Sequence, residues 1–542
     1  MWNSLGHRIL RASALVAATS LVVAALRIPR QTSGISWFAC PDSDTAQCAF
    51  FDVPRDYANL NEDDTVSIFM RKYSANASQE NRLGTILVNP GGPGGSGNLF
   101  IALVGEKLRA ALDGRYDIIG FDPRGVNLTG PWTACFTTEA EPLSLEYQEI
   151  LLGAPYPHST ISNDRTIINK LRAIQASHNA ACIERGNRKI LESVGTVFVA
   201  QDMVRMVEAL GEDGSILGAT FAAMRPDLVK RMVLDGISNA ESYYDSIWQW
   251  GKDGMDDPGW FSVDLRRGWA RVLCIRRPAW QLDHETNNRK SSSSLEKHLR
   301  TIGPTADGGL ASIEQGNATD AYTSLYLPYT NATIEPYNQN VFNRSMQHSG
   351  ATRESTRAIL CSDAAATNIL INAHVDYFRE IGKITPVGEQ WASIISACNR
   401  WDLRASQRYT GPWTVAKGLR KTRFPILFVS LDADPVTPLS SALKMSKGFG
   451  KESATLLIQQ GYGHPSDAHP SLCTIKHVRG YFVDGKVPAN GTHCTPEPGF
   501  IYPTNTTNSK RAMLDEGGKI LLEAVEGLSE ARSKLNLATW GF

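Results

Sequence analysis

The chain has 542 residues, 42% of them hydrophobic and 20% charged, which is enough for one large core with an inserted subdomain and excludes a disordered or fibrous protein. Its 55 Lys+Arg balance 55 Asp+Glu, so no field of one sign steers nucleic acid or an anionic membrane surface toward it. The expected partner is a small molecule or a peptide, with no stable membrane partner and no cofactor.

At the N-terminus His7, Arg8 and Arg11 precede an apolar run over 12–26 with small residues at Val23, Ala24 and Ala25, the pattern of a signal peptide over 1–25. The run is about 15 residues, shorter than the roughly 20 that a spanning helix needs. An uncleaved membrane anchor is the alternative to secretion. Seven N-x-S/T sequons, at Asn76, Asn127, Asn317, Asn331, Asn343, Asn490 and Asn505, point the same way, because such sites are modified on surface loops of exported proteins.

Nine cysteines in an exported chain suggest disulfides with one thiol left over. Short spacing pairs Cys40 with Cys48 and Cys473 with Cys494, and Cys135 with Cys182 and Cys361 with Cys398 complete the set. Cys274 is then odd, and reads as a buried small apolar residue. No C-x-x-C or H-x-x-x-H pattern argues for a metal.

From residue 40 to 240 short apolar runs alternate with helical stretches, as a parallel sheet covered by helices requires, and 85–89 and 116–122 are the clearest strands. Over 241–417 the pattern changes to tryptophans, three sequons and mixed helices without strands, which reads as a cap inserted into the core. Alternation resumes over 418–500 with strands at 426–431 and 454–459 around a helix at 439–449, and a helical tail spans 510–535. The fold class is α/β: a mostly parallel sheet with helices on both faces and a mainly helical cap.

The loop Asn89-Pro90-Gly91-Gly92-Pro93-Gly94-Gly95-Ser96-Gly97 directly follows the first clear strand, where open α/β sheets place their sites. So many glycines let backbone N–H groups, those of Gly91 and Gly92 first, turn toward one point as an oxyanion hole requires. A phosphate loop would end in Lys-Ser/Thr, which is lacking. Asp434 follows the strand 426–431 and His464 follows the strand ending near 459, so one strand-helix-strand step brings both to the same sheet edge. In that order the carboxylate can hold the imidazole tautomer and stabilise its charged form. Asp432 and His469 are the nearest alternatives.

These loops, with Tyr116-Asp117-Ile118-Ile119-Gly120-Phe121-Asp122-Pro123-Arg124-Gly125, Asp434-Pro435-Val436-Thr437-Pro438 and Gly463-His464, resemble the tripeptidyl aminopeptidase and proline iminopeptidase branch of α/β-hydrolases. The likeness runs over about 40–487, and the segment with Cys473, Tyr481-Phe482, Gly485 and Cys494 is similar to the C-terminal domain of tripeptidyl aminopeptidase-like proteins. The resemblance implies an α/β-hydrolase fold, a serine nucleophile, and hydrolysis at the N-terminal side of peptides or of related amides and esters. The cap then selects the substrate.

One part of that family pattern is lacking. After a helix such as 202–210 the family carries a buried strand and the strained turn G-x-S-x-G. Here Gly211-Glu212-Asp213-Gly214-Ser215 leads straight into a stretch, 216–224, like the helix after the nucleophile, so about ten residues are missing relative to that pattern. No serine of the chain has glycine at both flanking offsets. Ser215 is the serine nearest the required place, with Asp213 where the turn needs glycine. Removing a central strand strips two ladders of partners, at a cost rivalling the roughly 5 to 15 kcal/mol of a domain's stability. The expectation is therefore an omission from the recorded coding sequence of a catalytic protein. The alternatives are a non-catalytic descendant that binds a peptide or small molecule in the old pocket, and a hydrolase of a small ester, lactone or amide. Asn127 stands where relatives commonly have glycine, and its sequon would put a glycan near the pocket mouth.

Overall fold

The computed structural model describes residues 34–61, 63–136, 140–152, 165–211, 218–255, 349–384, 388–497 and 514–539. Outside them lie the leader at 1–25, Cys274, Ser215 and the sequons at Asn317, Asn331, Asn343 and Asn505.

Nine strands are present among the described residues: β1 (Phe38–Ala39), β2 (Gln47–Pro54), β3 (Thr65–Tyr73), β4 (Gly84–Val88), β5 (Tyr116–Phe121), β6 (Val233–Asp235), β7 (Ile426–Ala433), β8 (Ala454–Tyr462) and β9 (Thr492–Cys494). They form two sheets, ordered β1-β2-β3-β5-β4 and β6-β7-β8-β9. The second is parallel throughout, while in the first only β4 and β5 are parallel. Sequence pattern explains the difference. In β2 the residues Ala49, Phe51 and Val53 face the core while Phe50 and Asp52 alternate outward, as an antiparallel strand with one wet face does. In β7 the run Ile426 to Leu431 is buried on both faces, as a parallel strand under helices must be.

The two sheets share one core, since a single buried apolar cluster takes Leu87, Ile119 and Phe121 from the first and Leu234, Phe428 and Leu456 from the second. β4 and β6 are each an edge strand of their sheet. Between these strands in sequence the helix Thr196–Leu210 stops at Gly211, a left-handed C-cap with φ 68°, and the helix Ala219–Met224 begins the next described stretch. In chain order the place where the sequence lacks a strand falls between β5, the last strand of the first sheet, and β6, the first of the second.

Other contacts tie the halves together. The tail helix Glu516–Thr539 packs on the helix Gly97–Ala111 after β4 and on the short turn Ser466–Ala468 after β8. The Tyr116 hydroxyl on β5 donates to the Phe482 carbonyl at 2.6 Å. Arg124, in the loop after β5, makes two 2.6 Å hydrogen bonds to Asp202 on the helix Thr196–Leu210, both side chains being fully buried. Its remaining N–H groups reach the carbonyls of Pro54, Arg55 and Ser193, and Tyr57 donates to Asp202, so the ion pair is surrounded by partners.

The described parts of 241–417 include five helices, Ala240–Asp245 and Ile247–Asp253 at its start and then Ser349–Asp363, Ile371–Ile384 and Gly388–Ser396. The helix Arg165–Arg185, from before β6, joins them: its Gln175 and Asn179 side-chain amides donate to the carbonyls of Ser393 and Ala397 at 2.9 and 3.0 Å. Disulfides link Cys40–Cys48, Cys135–Cys182, Cys361–Cys398 and Cys473–Cys494, the four pairs read from the sequence. Among the described residues no helix is long and apolar enough to cross a membrane.

Candidate active site

The buried strand β7 ends in a turn whose shape is fixed by its own carboxylate. Asp434 Oδ1 accepts the backbone N–H groups of Val436 and Thr437, both at 2.8 Å. This is the short-range bonding that makes Asp a turn former, and it leaves Oδ2 to side-chain donors. Oδ2 accepts the Thr437 hydroxyl at 2.9 Å and His464 Nδ1 at 2.8 Å. Asp434 has no exposed side-chain surface and His464 has 26%, so the pair runs from the interior to the surface. With Nδ1 donating its proton to a carboxylate, the imidazole carries its lone pair on Nε2, the tautomer a general base needs.

His464 is held by its neighbours as well as by Asp434. Gly236, at the end of β6 with φ +70°, lies against the ring: a β-carbon there would stand 2.8 Å from His464 Cε1 and 3.2 Å from Thr437 Oγ1. The preceding residue, Asp235, accepts the Ser466 backbone N–H at 3.1 Å and its hydroxyl at 2.6 Å. Gln459 on β8 donates to the carbonyls of Ser466 and His469 at 3.0 and 2.6 Å. Two strands thus bracket the turn that carries the imidazole.

Asp432 and His469 serve other contacts. Asp432 Oδ1 accepts the Gly461 N–H at 2.9 Å. His469 is packed so closely on Gly461 that a β-carbon there would lie 2.6 Å from its Nδ1, and burial holds its pKa below the ordinary histidine value.

The glycine-rich loop follows β4 in the other sheet. Gly91 and Gly92 are exposed, with φ 86° and 124°, a region open to glycine. The Gly91 N–H donates to Asn89 Oδ1 at 2.8 Å, and Gly91 in turn accepts the Gly95 N–H at 3.1 Å. Thr356 from the helix Ser349–Asp363 closes over the loop, donating to the Pro93 carbonyl at 2.9 Å. Ser96 ends the loop, capping the helix Gly97–Ala111 by accepting the Leu99 N–H at 3.0 Å and donating to Asp122 at 2.5 Å. Asp122 also accepts from the Asn98 and Leu128 N–H groups and the Asn127 amide, and burial raises its pKa to about 6.

Asp434 and His464 are therefore brought into contact, Gly91 and Gly92 stand at the carboxyl end of β4, and Ser215 lies outside the described residues. Sequence reasoning passed over Thr437, Gly236 and the Asp235–Ser466 clamp. An Asp followed two residues later by the donor N–H of its own turn is a legible signal for the first; the others depend on packing between strands distant in sequence. Two Cys/His groups with ligand-like proximity, Cys135/His178/Cys182 and Cys473/His477/Cys494, have their sulfurs committed to disulfides.

Residues 383–494 match the family described as TAP-like protein. The chain is 30% identical to the tripeptidyl aminopeptidase of Streptomyces lividans over 246 residues, 43% of this chain and 42% of that protein. It is 26% identical to the serine protease Hip1 of Mycobacterium bovis over 533 residues, 89% of this chain and 96% of that protein. It is 23% identical to the carboxylesterase B of Mycobacterium tuberculosis over 486 residues, covering 83% of this chain and 87% of that one. The alignment thus spans less than half of the Streptomyces relative. The matched region holds both Asp434 and His464, and with the α/β layers it supports a TAP-like α/β-hydrolase.

Proposed function

We propose that the chain is a serine hydrolase acting on amide or ester bonds through an acyl-enzyme, its nucleophile supplied by a strand and G-x-S-x-G turn that belong between Gly211 and Gly218. The observation that carries this reading is the 2.8 Å bond from His464 Nδ1 to a buried Asp434, which has little structural use beyond setting one imidazole tautomer at a sheet edge. In the mechanism His464 Nε2 takes the serine proton, the serine oxygen attacks the substrate carbonyl, and His464 returns the proton to the leaving amine or alcohol. Asp434 stabilises the imidazolium between those steps. Backbone N–H groups around Gly92, and one beside the serine, receive the oxyanion. Gly91 takes part once its N–H turns from Asn89 to the substrate. Water then repeats the sequence to release the acid.

Relatives named as an aminopeptidase and a carboxylesterase support peptides and simple esters as the two substrate classes to test. Four disulfides support an exported protein. A second reading, a non-catalytic binder in the old pocket, is favoured by the lack of any G-x-S-x-G among the 542 residues. Ser215 as nucleophile is the remaining variant of the first. A fluorophosphonate probe on the protein isolated from its natural source separates them. Labelling at a serine on a peptide not encoded in the present 542 residues supports the proposal. Labelling at Ser215 moves the role there, and a folded protein that takes no label is the binder.

A further inference from the structure

N-linked modification forms a bond from an asparagine Nδ2 to the anomeric carbon of an oligosaccharide, breaks that carbon's bond to a polyprenyl diphosphate carrier, and releases one Nδ2 proton. An asparagine whose Nδ2 protons are both engaged inside the fold cannot carry the sugar without giving up one of those bonds. The three sequons among the described residues differ sharply on this point.

At Asn127 both amide protons are used, one donated to Ser96 Oγ at 3.1 Å and the other to Asp122 Oδ2 at 2.9 Å. The residue has φ 46°, a conformation Asn tolerates better than most side chains, and its sequon neighbours Leu128 and Thr129 are buried. The Thr129 hydroxyl donates to the Asp122 carbonyl at 2.7 Å and accepts the Phe69 N–H at 2.9 Å. The Asn127 amide N–H₂ and the Thr129 hydroxyl are therefore both built into contacts among β3, the end of β5 and the end of the glycine-rich loop.

Asn76 and Asn490 are placed otherwise. Asn76 is exposed in the turn after β3, with Ser78 of its sequon exposed beside it. Asn490 is exposed before β9, and the bond that fixes it uses its oxygen, which accepts the Leu456 N–H at 3.0 Å. That bond survives attachment of a sugar to Nδ2, because a glycosylated amide keeps its carbonyl.

We propose that Asn76 and Asn490 carry N-linked oligosaccharide and that Asn127 stays unmodified, serving as an internal bracket that ties Ser96, at the end of the glycine-rich loop, to Asp122. This departs from the expectation of a glycan at the pocket mouth. It rests on the export reading but not on catalysis, since it needs no nucleophile.

The test is expression of the full chain in a eukaryotic secretory host, once with its own N-terminus and once behind a strong cleavable leader. Glycopeptides of the secreted protein are then mapped after enzymatic deglycosylation in heavy-oxygen water. Label at Asn76 and Asn490 with none at Asn127 is the expected result. Sugar at Asn127 in the folded, secreted fraction overturns the proposal, as do bare Asn76 and Asn490 in the leader-driven protein. Failure of export alone appears as secretion only behind the added leader, which leaves the site assignment testable. The bracket has its own readout: Asn127→Asp, isosteric but facing the Asp122 carboxylate with no proton to donate, melts several degrees below the parent. An unchanged melting temperature contradicts it.

Discussion

Gly236 lies so close to the imidazole of His464 that a β-carbon on it would stand 2.8 Å from Cε1. The end of β6 is thus shaped to the catalytic histidine of the proposed mechanism, and only glycine satisfies both that contact and a φ of +70°. Gly236→Ala forces the ring to shift. In the chain carrying its nucleophile turn, kcat should fall about 100-fold, the usual cost of an ångström of misplacement, with KM little changed. Steady-state kinetics of this variant check it, and wild-type kcat contradicts it.

Asp434→Asn keeps the shape of the turn while replacing an acceptor oxygen with an N–H₂ that faces Thr437 and His464. The imidazole then accepts at Nδ1 and holds its proton on Nε2, the wrong place for a base. A fall of roughly 10³- to 10⁴-fold in kcat is expected. Asp434→Ala also strands the turn donors of Val436 and Thr437, so its melting temperature should drop further than that of the Asn variant.

Arg124→Ala leaves the buried Asp202 carboxyl without its bidentate partner. Loss of one side of such a pair costs about 3 to 5 kcal/mol, read as a shift of the denaturation midpoint in urea. A loss below about 1 kcal/mol, the value of a surface pair, contradicts the burial described for these residues.

Two buried carboxyls give the stability a definite pH dependence. Asp122 and Asp363 are both raised from 3.8 to about 6, chiefly by burial. Asp363 accepts the backbone N–H and hydroxyl of Thr196 and the Tyr243 hydroxyl, with Arg408 nearby. Between pH 4 and 6 the folded state holds protons that the unfolded chain has lost, so this contribution is full below about pH 4 and disappears as pH rises through 6. Asp363→Asn, a fixed neutral side chain, should therefore gain on the parent in melting temperature from pH 4 to pH 7. A constant difference across that range contradicts the shift.

Local chemistry made much of this chain legible. The helix Leu439–Phe449 was readable to the residue, because Pro438 starts it and Gly450 stops it. The Asp434 and His464 loops were found because each follows a long apolar run, and the disulfides Cys40–Cys48 and Cys473–Cys494 because their spacings are short. What sequence left open was contact between distant strands. Nothing in Asp235-Gly236 announces that it will clamp Ser466 and cradle His464, and nothing in Asn127-Leu128-Thr129 distinguishes an engaged amide from an exposed one. The antiparallel β2 and β3 were likewise passed over, their alternating pattern being weaker than the solid apolar runs of β5 and β7.

The arrangement of the strands in two sheets has one direct test, which is to sequence the transcript across the codons for Glu208 to Ala222. The account predicts additional codons there, encoding a short apolar strand and a G-x-S-x-G turn that joins the two sheets and places a serine beside His464. A transcript that matches the present sequence contradicts it, and leaves Asp434 and His464 a paired base with no nucleophile to serve.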